Sequence, residues 1–324
     1  MATEKYLQYR GDVKAIAGLG GTLAFVTTHP EGQPTAVFRL DADKLGLDAD
    51  PLPCGAVAVL AAENTLYISG TDSRIYQLPA KGGKPKPLGQ PLPGPPGRMA
   101  LLSNNRLAVL CGKQVVVLSR KDGKVLQTLD LPEAGTALAA DPTGHWLVAG
   151  TARGTVAVFE DEDKPEFLLS ESQKLHEGAV AALLFDPEEL RFLSAGADNK
   201  LLSTHARGKL EPEDRGRGAS HADLVTALAW GPADRFYSGS RDKTVKAWPR
   251  GVATRPVTVK DGVGTVVDLA MVQIHNRPHL ALACDDNTLR FFPLDPAGKP
   301  GELTRKVYDG DQWARHELEQ DDPR

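Results

Sequence analysis

His275, His279 and Cys284 are of the residue types that ligate zinc, and they fall within one short stretch of the chain. Two imidazoles four positions apart share a face only on a helix, and Pro278 sits between them in a strand-rich stretch. The spacing therefore predicts an exposed turn and no metal. The run LDADKLGLDAD, residues 40–50, sets Asp41 and Asp43 ahead of Gly46, as a calcium loop would. Leu45 stands at its third ligand position and Leu52 where a bidentate glutamate belongs, which leaves a solvated connection. GLGG at 18–21 could cradle a phosphate only at the start of a helix, and no helical pattern follows it. KGGKPK at 81–86 and RGRG at 215–218 are basic, but they are interleaved with Gly or Pro rather than aromatics. Glu211, Glu213 and Asp214 largely offset the second. The chain has no Gly-x-Ser-x-Gly elbow, phosphate loop, His-Glu-x-x-His or Cys-x-x-Cys. No catalytic residue, metal or cofactor is expected.

The elements that must position any functional side chain follow from a repeat. Gly (32) and Pro (24) are spread along the 324 residues, so turns are frequent and strands short. Seven segments share one rhythm: an apolar run, a polar turn, a second apolar run, a tight turn, and a third run rich in β-branched or aromatic residues. The clearest is 224–248, LVTALAW-GPADR-FYSGS-RDK-TVKAW. Anchored on Val13, Val57, Met99, Ala137, Val180, Val225 and Val266, the units recur every 38 to 45 residues. Four-stranded blades repeat every ~40–45 residues, and a helical solenoid would lack the β-branched runs. One blade cannot cover both of its apolar faces, so blades must stack, and closing the circle removes the exposed ends. The expected fold is all-β: a seven-bladed β-propeller of four-stranded antiparallel blades over residues 1–310. Residues 311–324 are expected to form a short helical tail, since Asp311 could cap it and Ala314 and Leu318 lie four apart.

The sixth unit resembles the WD-repeat family in detail. His221, Ser238, Asp242 and Trp248 match that family's structural tetrad, in which the histidine links the turn aspartate to the serine and the serine meets the indole N–H. The fifth unit keeps His176, Ser194 and Asp198, with Thr204 where tryptophan would stand. The seventh keeps Asp286 with Phe292 at the tryptophan position, and the second keeps Asp72 alone. By this resemblance an N-terminal strand usually closes the ring. Lys5–Asp12 is expected to do so, although 304–311 also reads as an outer strand. The end of the tail, LEQDDPR, resembles the turn of a HEAT-type repeat, as if a helical domain followed.

The same resemblance implies an interaction module that meets its partner on the face carrying the turns between second and third strands. Those turns hold Arg74, Lys113, Arg153, Lys200, and Arg241 with Lys243. Five of seven turns therefore carry a cation, against about three expected from average composition. Such a rim suits a protein or an acidic peptide. Lys plus Arg total 38 against 42 Asp plus Glu, a net charge of -4, which argues against a dedicated nucleic-acid binder held by bulk charge. RNA binding by the basic rim is a weaker alternative. A lactonase- or hydrolase-like propeller is another, but it needs acidic or histidine residues at the central channel, where the first strands are apolar. Three scattered cysteines imply a reducing compartment. The N-terminus lacks an apolar core region, and the longest wholly apolar run, 56–62, is far below the roughly 20 residues a membrane helix needs. A cytoplasmic protein without membrane contact is expected, either a monomer or the front domain of a longer chain.

Overall fold

Strand residues alternate between two buried faces, and each tight turn hands the chain to an antiparallel neighbour. The computed structural model describes residues 12–28, 35–44, 46–161, 166–215, 220–250, 255–259, 263–308 and 316–317. They form seven antiparallel sheets, and within each the strands are neighbours in sequence order. The blades span 12–52, 56–87, 96–130, 135–174, 180–214, 225–259 and 266–308. This is the expected seven-bladed propeller. No helix occurs among the described residues.

Each blade starts with an inner strand that carries a register shift near its first residues, as between Val225 and Ala227 or Val266 and Asp268. Such bulges bend the strand where blades crowd the axis. The apolar core divides into seven clusters, one between each pair of neighbouring blades. Side-chain hydroxyls reach across these interfaces to the inner strand of the next blade. Ser69 donates to Gly97 O at 2.6 Å, Thr136 to Val180 O at 2.6 Å, and Thr226 to Val266 O at 2.8 Å.

Ring closure departs from the expectation. The fourth strand of blade 7 is Arg305–Tyr308, which pairs with Thr288–Phe291, so this position is filled from the C-terminal side of the chain. Lys5–Gly11 lies outside the described residues, and Asp12 instead begins the inner strand Asp12–Leu19 of blade 1. Blades 1 and 7 are joined by packing. Val13, Ile16, Phe25 and Phe38 meet Val272, Ile274, Leu289 and Phe291 in one buried cluster. Backbone and carboxylate bonds pin this seam: Gln273 N donates to Gly20 O at 2.7 Å, and His275 N to Asp43 Oδ1 at 2.6 Å. Burial of two complete sheet faces supplies the cohesion that an exchanged strand would otherwise add.

The tail also differs. Of residues 311–324, only His316–Glu317 is described, and it is extended rather than helical, pairing antiparallel with Arg305 and Lys306. The edge of blade 7 offers unpaired backbone groups, and a fifth strand satisfies some of them. The remainder of the tail, with its HEAT-like turn, lies outside the described residues.

Candidate interaction face and channel mouth

In blade 6 the tetrad residues form one continuous hydrogen-bonded chain. Trp248 Nε1 donates to Ser238 Oγ at 2.8 Å, and Ser238 Oγ lies 2.7 Å from His221 Nε2. His221 Nδ1 lies 2.9 Å from Asp242 Oδ2. Asp242 accepts a hydrogen bond from Nδ1–H, and in the neutral ring Nε2 accepts from the serine hydroxyl. Asp242 also accepts from Thr244 Oγ1 at 2.6 Å and from the N–H groups of Thr244 and Ala222, each at 2.9 Å. Burial pushes His221 below the ordinary histidine range and outweighs the nearby Asp242 charge. Burial alone would raise the Asp242 carboxyl, but hydrogen bonds from Thr244, Ala222 and His221 hold it low.

Blade 5 repeats the chain as far as it can. His176 lies 2.9 Å from Asp198 Oδ1 and 2.9 Å from Ser194 Oγ. Thr204 pairs with Phe192 as Trp248 pairs with Phe236, which places the two at one register position. The Thr204 hydroxyl is buried and has no partner among the described residues.

The other turn aspartates are held by partners that the sequence pattern did not announce. In blade 7, Arg290 pairs with Asp286, and Thr288 Oγ1 donates to the same carboxylate at 2.6 Å. In blade 2, Tyr76 Oη donates to Asp72 Oδ2 at 2.7 Å and Cys54 Sγ lies 3.3 Å from Oδ1. Burial, with Asp72 adding to it, pushes the Cys54 thiol up to about 11, so it stays a protonated donor. Arg290 and Tyr76 are each four residues beyond their aspartate, on the third strand. That spacing was the available signal.

The rim cations lie at the same end of the ring as these turns. Lys113, Arg153, Lys200, Arg241 and Lys243 are exposed, and Arg74 is half-buried with its Nε 3.9 Å from Asp72. Registers show a difference between blades. Counting from the last residue of the second strand, Lys113 follows Cys111 and Arg153 follows Thr151 just as Asp242 follows Ser240. In blades 3 and 4 a cation thus replaces the turn aspartate of blades 2, 5, 6 and 7. No carboxylate lies within ion-pair distance of Lys113, Arg153, Lys200, Arg241 or Lys243 among the described residues.

The central channel holds about 220 Å³ and is lined by the inner strands of all seven blades, mostly by Ala, Leu and Val. Two charged residues interrupt the lining, Arg98 of blade 3 and Asp268 of blade 7. Arg98 Nη1 donates to Asp268 Oδ2 at 3.2 Å, and the same oxygen accepts from Ile16 N of blade 1 at 3.1 Å. A single charge inside otherwise apolar runs, GRMALL and VVDLAM, was the sign that sequence reading passed over. The hydrolase alternative calls for several acidic or histidine groups at this mouth. The described lining supplies one carboxylate, already paired.

The weaker motifs resolve into local structure. His275 sits in the turn between the inner strand Val266–Ile274 and the strand Arg277–Cys284, with His279 and Cys284 along the latter. Asp41 Oδ1 accepts from the N–H groups of Asp43 and Lys44, both at 3.0 Å, and Asp43 serves the seam. Arg215 donates to Pro249 O at 2.7 Å, while 216–218 lies outside the described residues.

Comparison with known proteins agrees with this geometry. Residues 217–249, which hold the complete tetrad, match the WD domain, G-beta repeat. Actin-interacting protein 1 of Drosophila melanogaster is 32% identical over 123 residues, 38% of this chain and 19% of that protein. Actin-interacting protein 1-2 of Arabidopsis thaliana is 25% identical over 255 residues, 73% of this chain and 38% of that one. The chain therefore spans less than two fifths of the length of either relative. A chain in the crystal structure of the mitotic checkpoint complex superposes with a TM-score of 0.73 at 16% identity, covering 88% of this chain and 92% of its own length, a likeness of fold alone. With a complete tetrad inside the matched repeat and seven sheets closed into a ring, the chain is a WD-repeat β-propeller.

Proposed function

We propose that the chain is a non-catalytic interaction module whose loop face takes an acidic segment of a protein partner across blades 3 to 5. The observation that carries this reading is the replacement of the turn aspartate by Lys113 and Arg153 in adjacent blades, continued by Lys200 in blade 5. In blades 2, 6 and 7 the same turns hold a carboxylate that is hydrogen-bonded within its own blade. Two matched relatives are named for interaction with another protein, actin, which supports the class of function and leaves the partner open.

Exposed charges steer encounter more than they add affinity, and a lone pair contributes under about 1 kcal/mol. The test uses a fluorescent, N-acetylated and C-amidated hexaglutamate peptide, a hexaglutamine control and a twelve-nucleotide oligouridine. The wild-type ring should bind hexaglutamate with a salt-dependent association rate. The variant Lys113→Glu/Arg153→Glu/Lys200→Glu, shown by circular dichroism to fold, should associate more slowly and with flattened salt dependence. An unaltered rate and salt response would reduce the rim to a solvated edge. Tight binding of oligouridine without hexaglutamate binding would replace the protein partner by RNA.

A further inference from the structure

The Arg98–Asp268 pair is asymmetric in a way that structural pairing alone does not require. The Asp268 carboxylate is tucked into the wall, its side chain 8% exposed, while the Arg98 side chain is 39% exposed. Asp268 is fully used: Oδ2 takes Arg98 and Ile16 N, and Oδ1 accepts from Leu269 N at 3.0 Å. Among the described residues, Arg98 has no hydrogen-bond acceptor other than Asp268 for its guanidinium. A guanidinium carries five N–H donors, so several of them open into the channel.

Register places this group at the rim end. Arg98 lies two residues beyond Pro96, which pairs with Cys111, and Lys113 follows in the adjoining turn. Asp268 lies likewise two residues beyond Val266, which pairs with Cys284 just ahead of Asp286. The mouth of the channel on the cationic face therefore presents one guanidinium, framed by Ala137, Ala182 and Ala227, and Asp268 is the one acid in the described lining. A cavity of about 220 Å³ accommodates one short acidic side chain but not a folded element. Planar guanidinium favours a two-pronged carboxylate, and the exposed part of the Arg98 side chain faces the channel.

From this geometry we infer that the channel mouth is a carboxylate subsite, in which Arg98 receives an Asp or Glu side chain of the segment that lies on the loop face. Asp268 holds the guanidinium in place from behind and weakens its charge, which keeps the subsite from retaining small anions. The inference rests on the loop-face reading above, and the test separates the two.

Hexaglutamate affinity, measured by fluorescence anisotropy at low salt, is compared for wild type, Arg98→Leu, Asp268→Asn and the rim triple variant. Arg98→Leu should weaken binding roughly tenfold, as expected for loss of one charge-assisted contact. Asp268→Asn keeps an acceptor for Ile16 N but removes the compensating charge, so it should tighten binding several-fold. A purely structural pair predicts the opposite for Asp268→Asn, since both variants would then loosen the mouth. Should Arg98→Leu fail to fold, the Nε–Hε resonance of Arg98 in arginine-labelled wild type decides: it should move with hexaglutamate and stay put with hexaglutamine. Unchanged affinity in Arg98→Leu, or weaker binding in Asp268→Asn, overturns the subsite. If the rim variant alone loses binding, the loop-face reading stands and Arg98 has no part in it. If neither responds, both fall.

Discussion

Thr204 and Trp248 occupy one register position in adjacent blades, opposite Phe192 and Phe236, yet only Trp248 finds a hydrogen-bond partner. The indole reaches Ser238, whereas the shorter threonine leaves its hydroxyl buried and unsatisfied. Thr204→Val removes the orphaned hydroxyl at nearly constant shape, so it should stabilise the ring by about 1 kcal/mol. Urea unfolding of the two proteins measures this, and a lower midpoint for the valine variant would show that the hydroxyl is partnered after all.

Asp242→Ala strands His221, Thr244 and two backbone N–H groups, and should cost about 1–3 kcal/mol. Blade 7 has no histidine partner for Asp286, and the carboxylate pairs with the buried Arg290 instead. Asp286→Ala is therefore expected to destabilise as well, by less than Asp242→Ala because its carboxylate is 44% exposed. Parallel unfolding curves rank the two, and an unchanged midpoint for Asp286→Ala would sink the role given to Arg290.

His221 is held neutral by burial, so its folded pKa lies below its unfolded one. As pH falls through the ordinary histidine range near ~6.5, the unfolded chain takes up a proton that the folded ring refuses. Stability from this group is present above that range and lost below it. Asp242, Asp198 and Asp286, held low in the folded state, add losses of the same sign at more acidic pH. Thermal midpoints at pH 7 and pH 5 should thus differ less in His221→Gln than in wild type. Equal differences would mean that His221 protonates without cost.

A Cβ on Gly18 would lie 1.7 Å from Met271 O, across the seam between blades 1 and 7. Gly18→Ala must part these blades and should destabilise by about 1–3 kcal/mol, in the manner of an overpacked core. Gly21→Ala is the control, since its nearest cross-seam atom is Gln273 O at 3.6 Å. If both variants unfold alike, closure by packing is not what limits the ring.

The period of turns and apolar runs determined the blade number, because each hairpin is a local event whose signals lie within a few residues. The tetrad of blade 6 and the partial one of blade 5 were legible for the same reason: their members fall inside one repeat. Lys113, Arg153 and Lys200 fall in turns between second and third strands, and the order of elements along the chain sets these turns at one end of the ring. What joins the ends was not legible. Val13 and Phe291 share a cluster, and Asn287 Oδ1 accepts from Val13 N at 3.4 Å across 274 residues. The bond between Arg98 and Asp268 spans 170 residues and exists only because seven inner strands converge on one axis. Such contacts depend on the curvature accumulated over all seven blades, a sum that no single repeat encodes. The tertiary structure alone therefore decided that apolar faces close the ring at its seam, and that one guanidinium stands at its mouth.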